Sequence, residues 1–176
     1  MKKILPMVAF VCSQFVLHAQ SDYKSALGIR ATTHITFDMV SLSYKTFLSD
    51  HNAIEINAGY GGRNMSIPMT GGRTAYSPAI SLSGSYQYHE DIYTATDEHL
   101  RWFAGAGLNF FNIFSEHQNY KGFGTALFGT AGLDYKFKAA PVNLSFDWRP
   151  SIYVISPSEF LPIQIGTIGL SARYTF

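Results

Sequence analysis

From Ala26 to the last residue, Phe176, apolar and polar side chains alternate in short runs, and the charged residues within those runs all fall on one side of the alternation. A period of two means β-strands, because successive side chains of a strand point to opposite faces. In the first run Leu27, Ile29 and Ala31 oppose Ala26, Gly28, Arg30 and Thr32, and in the second Val40, Leu42 and Tyr44 oppose Ser41, Ser43 and Lys45. The third sets Ile54, Ile56, Ala58 and Tyr60 against Glu55, Asn57 and Gly59. The fourth sets Ile80, Leu82, Gly84, Tyr86 and Tyr88 against serines and Gln87. Trp102 to Phe110, Leu127 to Phe137, Val142 to Arg149 and Ile168 to Phe176 bring the number of runs to eight.

Arg30, Lys45, Glu55, Arg101, Asp134, Lys136, Asp147, Arg149 and Arg173 lie on the polar face, and none of the eight apolar faces carries a charge. Periodicity alone fits either a soluble barrel or sandwich with its oily face inward or a membrane barrel with its oily face outward. Three features favour the second: a charge-free apolar face, aromatic residues at its ends, and a polar face made of small residues and charges. The aromatics Tyr44, Tyr86, Tyr88, Trp102, Tyr135, Phe137, Tyr174 and Phe176 fall toward one rim, and Tyr60, Phe110 and Trp148 toward the other. An apolar band between aromatic girdles around a polar lumen describes a transmembrane β-barrel. Lipid also requires closure, since an open sheet edge leaves backbone groups unsatisfied. The expected fold is therefore all-β: a closed, eight-stranded, antiparallel, up-and-down transmembrane barrel, its first and last strands paired.

The first nineteen residues read as a secretory signal peptide: a basic start at Lys2 and Lys3, an apolar stretch from Ile4 to Leu17, and a small residue, Ala19, at the expected cleavage point. Residues 20–176 form the barrel domain. The single cysteine, Cys12, lies within the leader, and Val11 before it fits poorly with a lipidated cysteine. Loss of Lys2 and Lys3 brings 13 basic residues close to parity with 12 acidic ones, which argues against a nucleic-acid partner. With the leader removed in the periplasm, an even strand count puts both termini there. Turns are expected on that side at Leu48–Asn52, His89–His99 and Lys138–Pro141. Outer loops are expected near His34–Asp38, Gly61–Pro78, Asn112–Gly122 and Ser151–Pro162. The apolar character of the last suggests either an extension of the wall or a contact surface.

The leader, the alternating runs, the segment LRWFAGAGLNFF, the hairpin GLDYKFKAAPVNLSFDWRP and the terminal ARYTF together resemble a small outer-membrane β-barrel of the OmpA/OmpX-like, porin-superfamily type. The resemblance covers residues 20–176 and is informative about fold and location rather than activity. It implies that Leu170, Tyr174 and Phe176 form the signal read by the outer-membrane assembly machinery.

An eight-stranded barrel is wide enough only for side chains to fill its interior, so the nine charged residues are expected to form a packed polar network. A narrow anion-leaning pore is the alternative, given six basic residues against three acidic ones. No catalytic residue, cofactor or metal site is nominated. His34-Ile35-Thr36 resembles only loosely the His-x-Ser pair of lipid A deacylase barrels, and the serine is missing. HExxH and paired cysteines are absent. Arg63 and Arg73, each following a Gly-Gly pair, are candidates for contact with lipopolysaccharide phosphates. The expected role is non-enzymatic, in membrane integrity, adhesion or surface interaction, with outer-membrane lipid and lipopolysaccharide as partners. A lipid-modifying enzyme is the remote third reading.

Overall fold

The computed structural model describes residues 23–33, 37–66, 74–92, 99–115, 121–157 and 163–176. Ten strand segments follow in order: β1 Ser25–Thr32, β2 Val40–Phe47, β3 Asn52–Ser66, β4 Thr74–Asp91, β5 His99–Ile113, β6 Gly122–Lys136, β7 Val142–Trp148, β8 Ser151–Ile155, β9 Ile163–Gln164 and β10 Ile168–Thr175. All pairings are antiparallel, and the sheet closes: β1 to β6 pair in sequence, β6 pairs with β7 and β8, and β10 pairs with both β7 and β1.

The ten segments make eight barrel strands. β7 and β8 lie in one line against β6, with Ala131 opposite Trp148 and Phe128 opposite Ser151. Pro150, lacking an N–H, interrupts the ladder between them, while its carbonyl still accepts a 2.9 Å hydrogen bond from the Gly129 N–H. β9 and β10 likewise form the last strand, broken at residues 165–167.

The outside is apolar and the inside polar, the inverse of a soluble barrel. Leu27, Ile29, Leu42, Ile56, Leu82, Leu108, Leu133, Phe146 and Leu170 are exposed, whereas Arg30, Lys45, Glu55 and Arg173 are each 0–1% exposed. The run from Trp102 to Phe110 covers about 27 Å of strand and, at a tilt of about 40°, about 20 Å of barrel height. That approaches the ~25 Å apolar band of membrane barrels. Tyr86, Tyr88, Trp102 and Tyr174 are exposed toward the rim that carries the termini, and Tyr60, Phe110 and Trp148 toward the opposite rim.

Two short turns, Leu48–Asn52 and Lys138–Pro141, connect strands where expected, and the link between β1 and β2 spans 33–39, around the expected His34–Asp38, but the other connections are shorter than the sequence suggests. The β3–β4 ladder continues through Gly62 opposite Pro78 to Ser66 opposite Thr74. Glycine, proline and polar residues hide the alternation there, while backbone pairing persists. β5 reaches Ile113 and β6 begins at Gly122, β4 reaches Asp91 and β5 begins at His99, and Ser151–Ile155 extends the wall. The barrel is consequently uneven in height: β3 to β6 are 15–18 residues long, against eight for β1, β2 and β10.

Closure rests on the seam between the chain's two ends. Ala26 pairs with Thr175 and Thr32 with Gly169. Ser25 and Phe176 exchange N–H···O bonds of 3.0 and 2.8 Å. Gly28 stands at this seam: a Cβ there would run into the Ala172 carbonyl and the Arg173 Cα, so the close strand approach requires glycine.

Candidate functional site

The lumen gathers most of the charged residues nominated from sequence. Arg30 on β1, Lys45 on β2, Glu55 on β3, Asp134 on β6, Asp147 on β7, Arg149 just beyond it and Arg173 on β10 are all buried inside the barrel. Strand alternation points them inward, and their pairings span the bore.

Glu55 is the hub. Its carboxylate lies 2.6 Å from Arg149 Nη2, 3.1 Å from Arg173 Nη2 and 3.9 Å from Lys45 Nζ. It also accepts hydrogen bonds from Asn57 Nδ2 at 3.1 Å and Gln87 Nε2 at 3.0 Å. Asp134 accepts from Lys45 Nζ at 2.6 Å, from Asn143 Nδ2 and, at 3.3 Å, from the Tyr23 hydroxyl. Arg30 donates twice to Asp147, through Nη2 at 2.6 Å and Nε at 3.1 Å. Arg149 Nε is 2.8 Å from the same carboxylate, but its N–H is poorly aligned, making that contact an ion pair rather than a hydrogen bond. Arg173 completes its set with the hydroxyls of Ser43, Ser145 and Ser171. Buried charges need partners of this density, because desolvation is costly for each.

Two nominated residues stand elsewhere. Arg101 lies at the terminal rim, its side chain 13% exposed, paired with Asp91 and set over the Phe47 ring. Lys136, also at that rim, donates to the carbonyls of Phe137 and Ala140 at 2.7 and 2.9 Å. Both sit near strand ends, where the inward direction opens onto the mouth.

In their place the lumen recruits an acid from a connection. Asp38, expected in an outer loop, is 3% exposed and reaches Arg30 Nη1 at 3.5 Å. Burial raises its carboxyl from the ordinary value and the Arg30 and Arg149 guanidiniums pull it back down. The interior therefore holds Arg30, Lys45, Arg149 and Arg173 against Asp38, Glu55, Asp134 and Asp147, a neutral set. The excess of positive charge expected from sequence is absent among the described lumen residues, and with it the basis for anion preference.

Aromatic rings close both ends of this polar column. At the opposite rim Phe37 stacks on Phe111 at 4.0 Å between ring centroids, with Tyr153 edge-on to both and Ala79 and Ile113 in the same cluster. At the terminal rim Tyr23, Phe47, His89 and Phe103 form a chain of ring contacts of 4.9–5.3 Å. Burial, followed by the adjacent Asp134 carboxylate, holds the Tyr23 phenol well above its ordinary value. A water-filled bore would leave the central side chains accessible, yet Lys45, Glu55 and Arg173 are at most 1% exposed.

The remaining candidates are placed as follows. Leu170 and Tyr174 face outward on β10, 61% and 52% exposed, and Phe176 ends the seam at 38%. Arg63 lies on β3 with its backbone opposite Ser77, but its side chain, like the whole of Arg73, lies outside the described residues. So do residues 1–19, His34, Thr36 and His117. Among the described residues no group of three His, Cys, Asp or Glu side chains is arranged to hold a metal ion.

No family model matches the chain, and no curated protein matches it. Among solved structures it is similar to Ail, the attachment invasion locus protein of Yersinia pestis, at 15% identity and a TM-score of 0.47, over 88% of this chain and 99% of that one.

Proposed function

We propose that this chain is a non-enzymatic, integral outer-membrane β-barrel, synthesised with a leader cleaved after Ala19, with both termini in the periplasm. The observation that carries the reading is the pairing of a charge-free exterior with a lumen filled by a neutral ion network and stoppered by aromatic rings. A barrel so filled is a rigid post rather than a conduit, and its role lies at the membrane surface, in envelope integrity, adhesion or surface interaction. The pore reading loses its support with the excess positive charge. Arg63, whose backbone lies on β3 opposite Ser77, and Arg73 are the proposed contacts for lipopolysaccharide phosphates.

Recording from the purified protein in a planar bilayer tests the central point. Background-level conductance is expected, and a large, stable conductance would overturn the filled-lumen reading. Location is tested separately by membrane fractionation and gel mobility. The unheated protein is expected in the outer-membrane fraction, migrating differently from the heated one; recovery from the soluble periplasm with identical mobility overturns the membrane assignment. Replacement of both arginines by alanine is expected to weaken lipopolysaccharide co-purification, and unchanged co-purification removes that contact.

A further inference from the structure

The last barrel strand carries one residue more than its neighbour at the break. Ile168 stands opposite Trp148 and Gln164 opposite Ser151, so four steps on β9–β10 face three on β7–β8, as at a β-bulge. Residues 165–167 leave the ladder there, on a stretch of wall where Ile165 is 67% exposed. Two contacts seal the gap. The Arg149 N–H donates to the Thr167 carbonyl at 2.9 Å, and the Trp148 indole Nε1–H donates to the Ile165 carbonyl at 2.5 Å. An indole at a membrane–water interface has an apolar body in lipid and a polar tip in the wet layer. The polar tip of Trp148 is instead engaged by the chain's own backbone.

Trp148 also lies too low to mark the top of the apolar exterior. Val142 opens β7 at the terminal rim, and Trp148 closes it six residues on. At a tilt of about 40° that distance is about 15 Å of barrel height. The ~25 Å apolar band of a membrane barrel is reached only four residues further along, at Ile152. Ile152 is still in register with β6, opposite Leu127, and pairs with Ile163 on β9. Both isoleucines are more than half exposed. The outward row Leu144, Phe146, Trp148, Pro150 and Ile152 carries no charge.

We infer that Trp148 and the strand break beside it lie within the hydrocarbon of the leaflet opposite the termini, with acyl chains covering Trp148, Ile152, Ile163 and Ile165. The inference rests on the outer-membrane reading above. At a headgroup surface, water would serve the Ile165 carbonyl and the indole N–H separately, and their pairing would gain little. In hydrocarbon neither has another partner, and an unpaired peptide group there is costly. The indole is then the donor that lets an irregular segment of backbone face lipid. The leaflet boundary on this side of the barrel passes near Ile152 and Ile163 rather than at Trp148.

The chain holds two tryptophans, Trp102 and Trp148, so two single-tryptophan variants test the placement. The processed barrel carrying Trp102→Phe reports on Trp148, with Trp102→Tyr as the replacement should the first not refold. The Trp148→Phe barrel reports on Trp102, which stands at the terminal rim. Each is refolded into phosphatidylcholine vesicles whose acyl chains are brominated at either a shallow or a deep position, and folding is checked by heat-modifiable migration. Trp148 emission is expected to be quenched about twofold more by the deep bromines, which sit near the middle of a hydrocarbon core about 30 Å thick. Trp102 is expected to show the reverse order. Equal or stronger quenching of Trp148 by the shallow bromines, or no quenching of Trp148 while Trp102 is quenched, overturns the placement and leaves the membrane reading intact. Quenching of neither tryptophan in either vesicle overturns both.

Discussion

Glu55 Oε1 and Arg149 Nη2 meet at 2.6 Å across the lumen, tying β3 to the junction between β7 and β8. Because both groups are buried, removing one charge strands the other. Glu55→Gln is predicted to destabilise the barrel by about 3–5 kcal/mol, read as a lowered urea midpoint in detergent. The double variant Glu55→Gln/Arg149→Gln restores charge neutrality and is predicted to lose less than the sum of the single variants. Strict additivity would show that the pair is uncoupled.

Phe37 is the removable part of the far stopper. Phe37→Ala deletes a ring that is 0% exposed and stacked on Phe111, at an expected cost of about 3–5 kcal/mol. Conductance is nonetheless predicted to remain at background, because the Glu55–Arg149–Arg173 layer still fills the bore. Appearance of open-channel current in this variant would locate the barrier in the stopper rather than in the ion network.

Gly28 is predicted to be the least replaceable glycine at the seam. Gly28→Val forces a side chain toward β10 backbone that has no room to yield. The fraction of heat-modifiable barrel after refolding is expected to fall sharply. Wild-type refolding would show that the seam tolerates a wider spacing.

Phe176 contributes to the seam through its backbone and projects an aromatic ring at the terminal rim. Phe176→Asp keeps the backbone bonds while removing the ring. It is predicted to refold in detergent in vitro while its yield in the outer membrane falls several-fold. Equal loss in both settings would assign the ring a structural role only, and normal cellular yield would remove it from the assembly signal.

The barrel was legible in the sequence because strand alternation and charge placement repeat one message eight times. What escaped was carried by residues outside that period. Phe37 and Asp38 belong to a connection, and nothing in their immediate neighbourhood marks them as inturned. A signal did exist for Asp38: six basic residues against three acidic ones is an improbable interior, and a further acid was needed. Phe103, Phe111 and Phe128 fall on the polar face of their strands, where apolar rings pack inside the barrel rather than against lipid. Ser151–Ile155 lost its strand identity to Pro150, although the ladder resumes in the same register beyond it. Arg101 and Lys136 obey the alternation, but alternation gives direction and not depth.

The three shortest lumen ion pairs, each 2.6 Å, are long-range: Arg30 to Asp147 spans 117 residues, Glu55 to Arg149 94, and Lys45 to Asp134 89. In each, a residue from the first third of the chain waits for one near its end. A hairpin forming early in folding thus gains only the looser local pairs, Lys45 with Glu55 at 3.9 Å and Arg30 with Asp38 at 3.5 Å, and leaves the strongest contacts unmade. Contacts of such separation form slowly, since loop closure precedes any reward. The interior is expected to dry in a single late event, when β10 reaches β1, and opening of that one seam should return the whole column of charges to water.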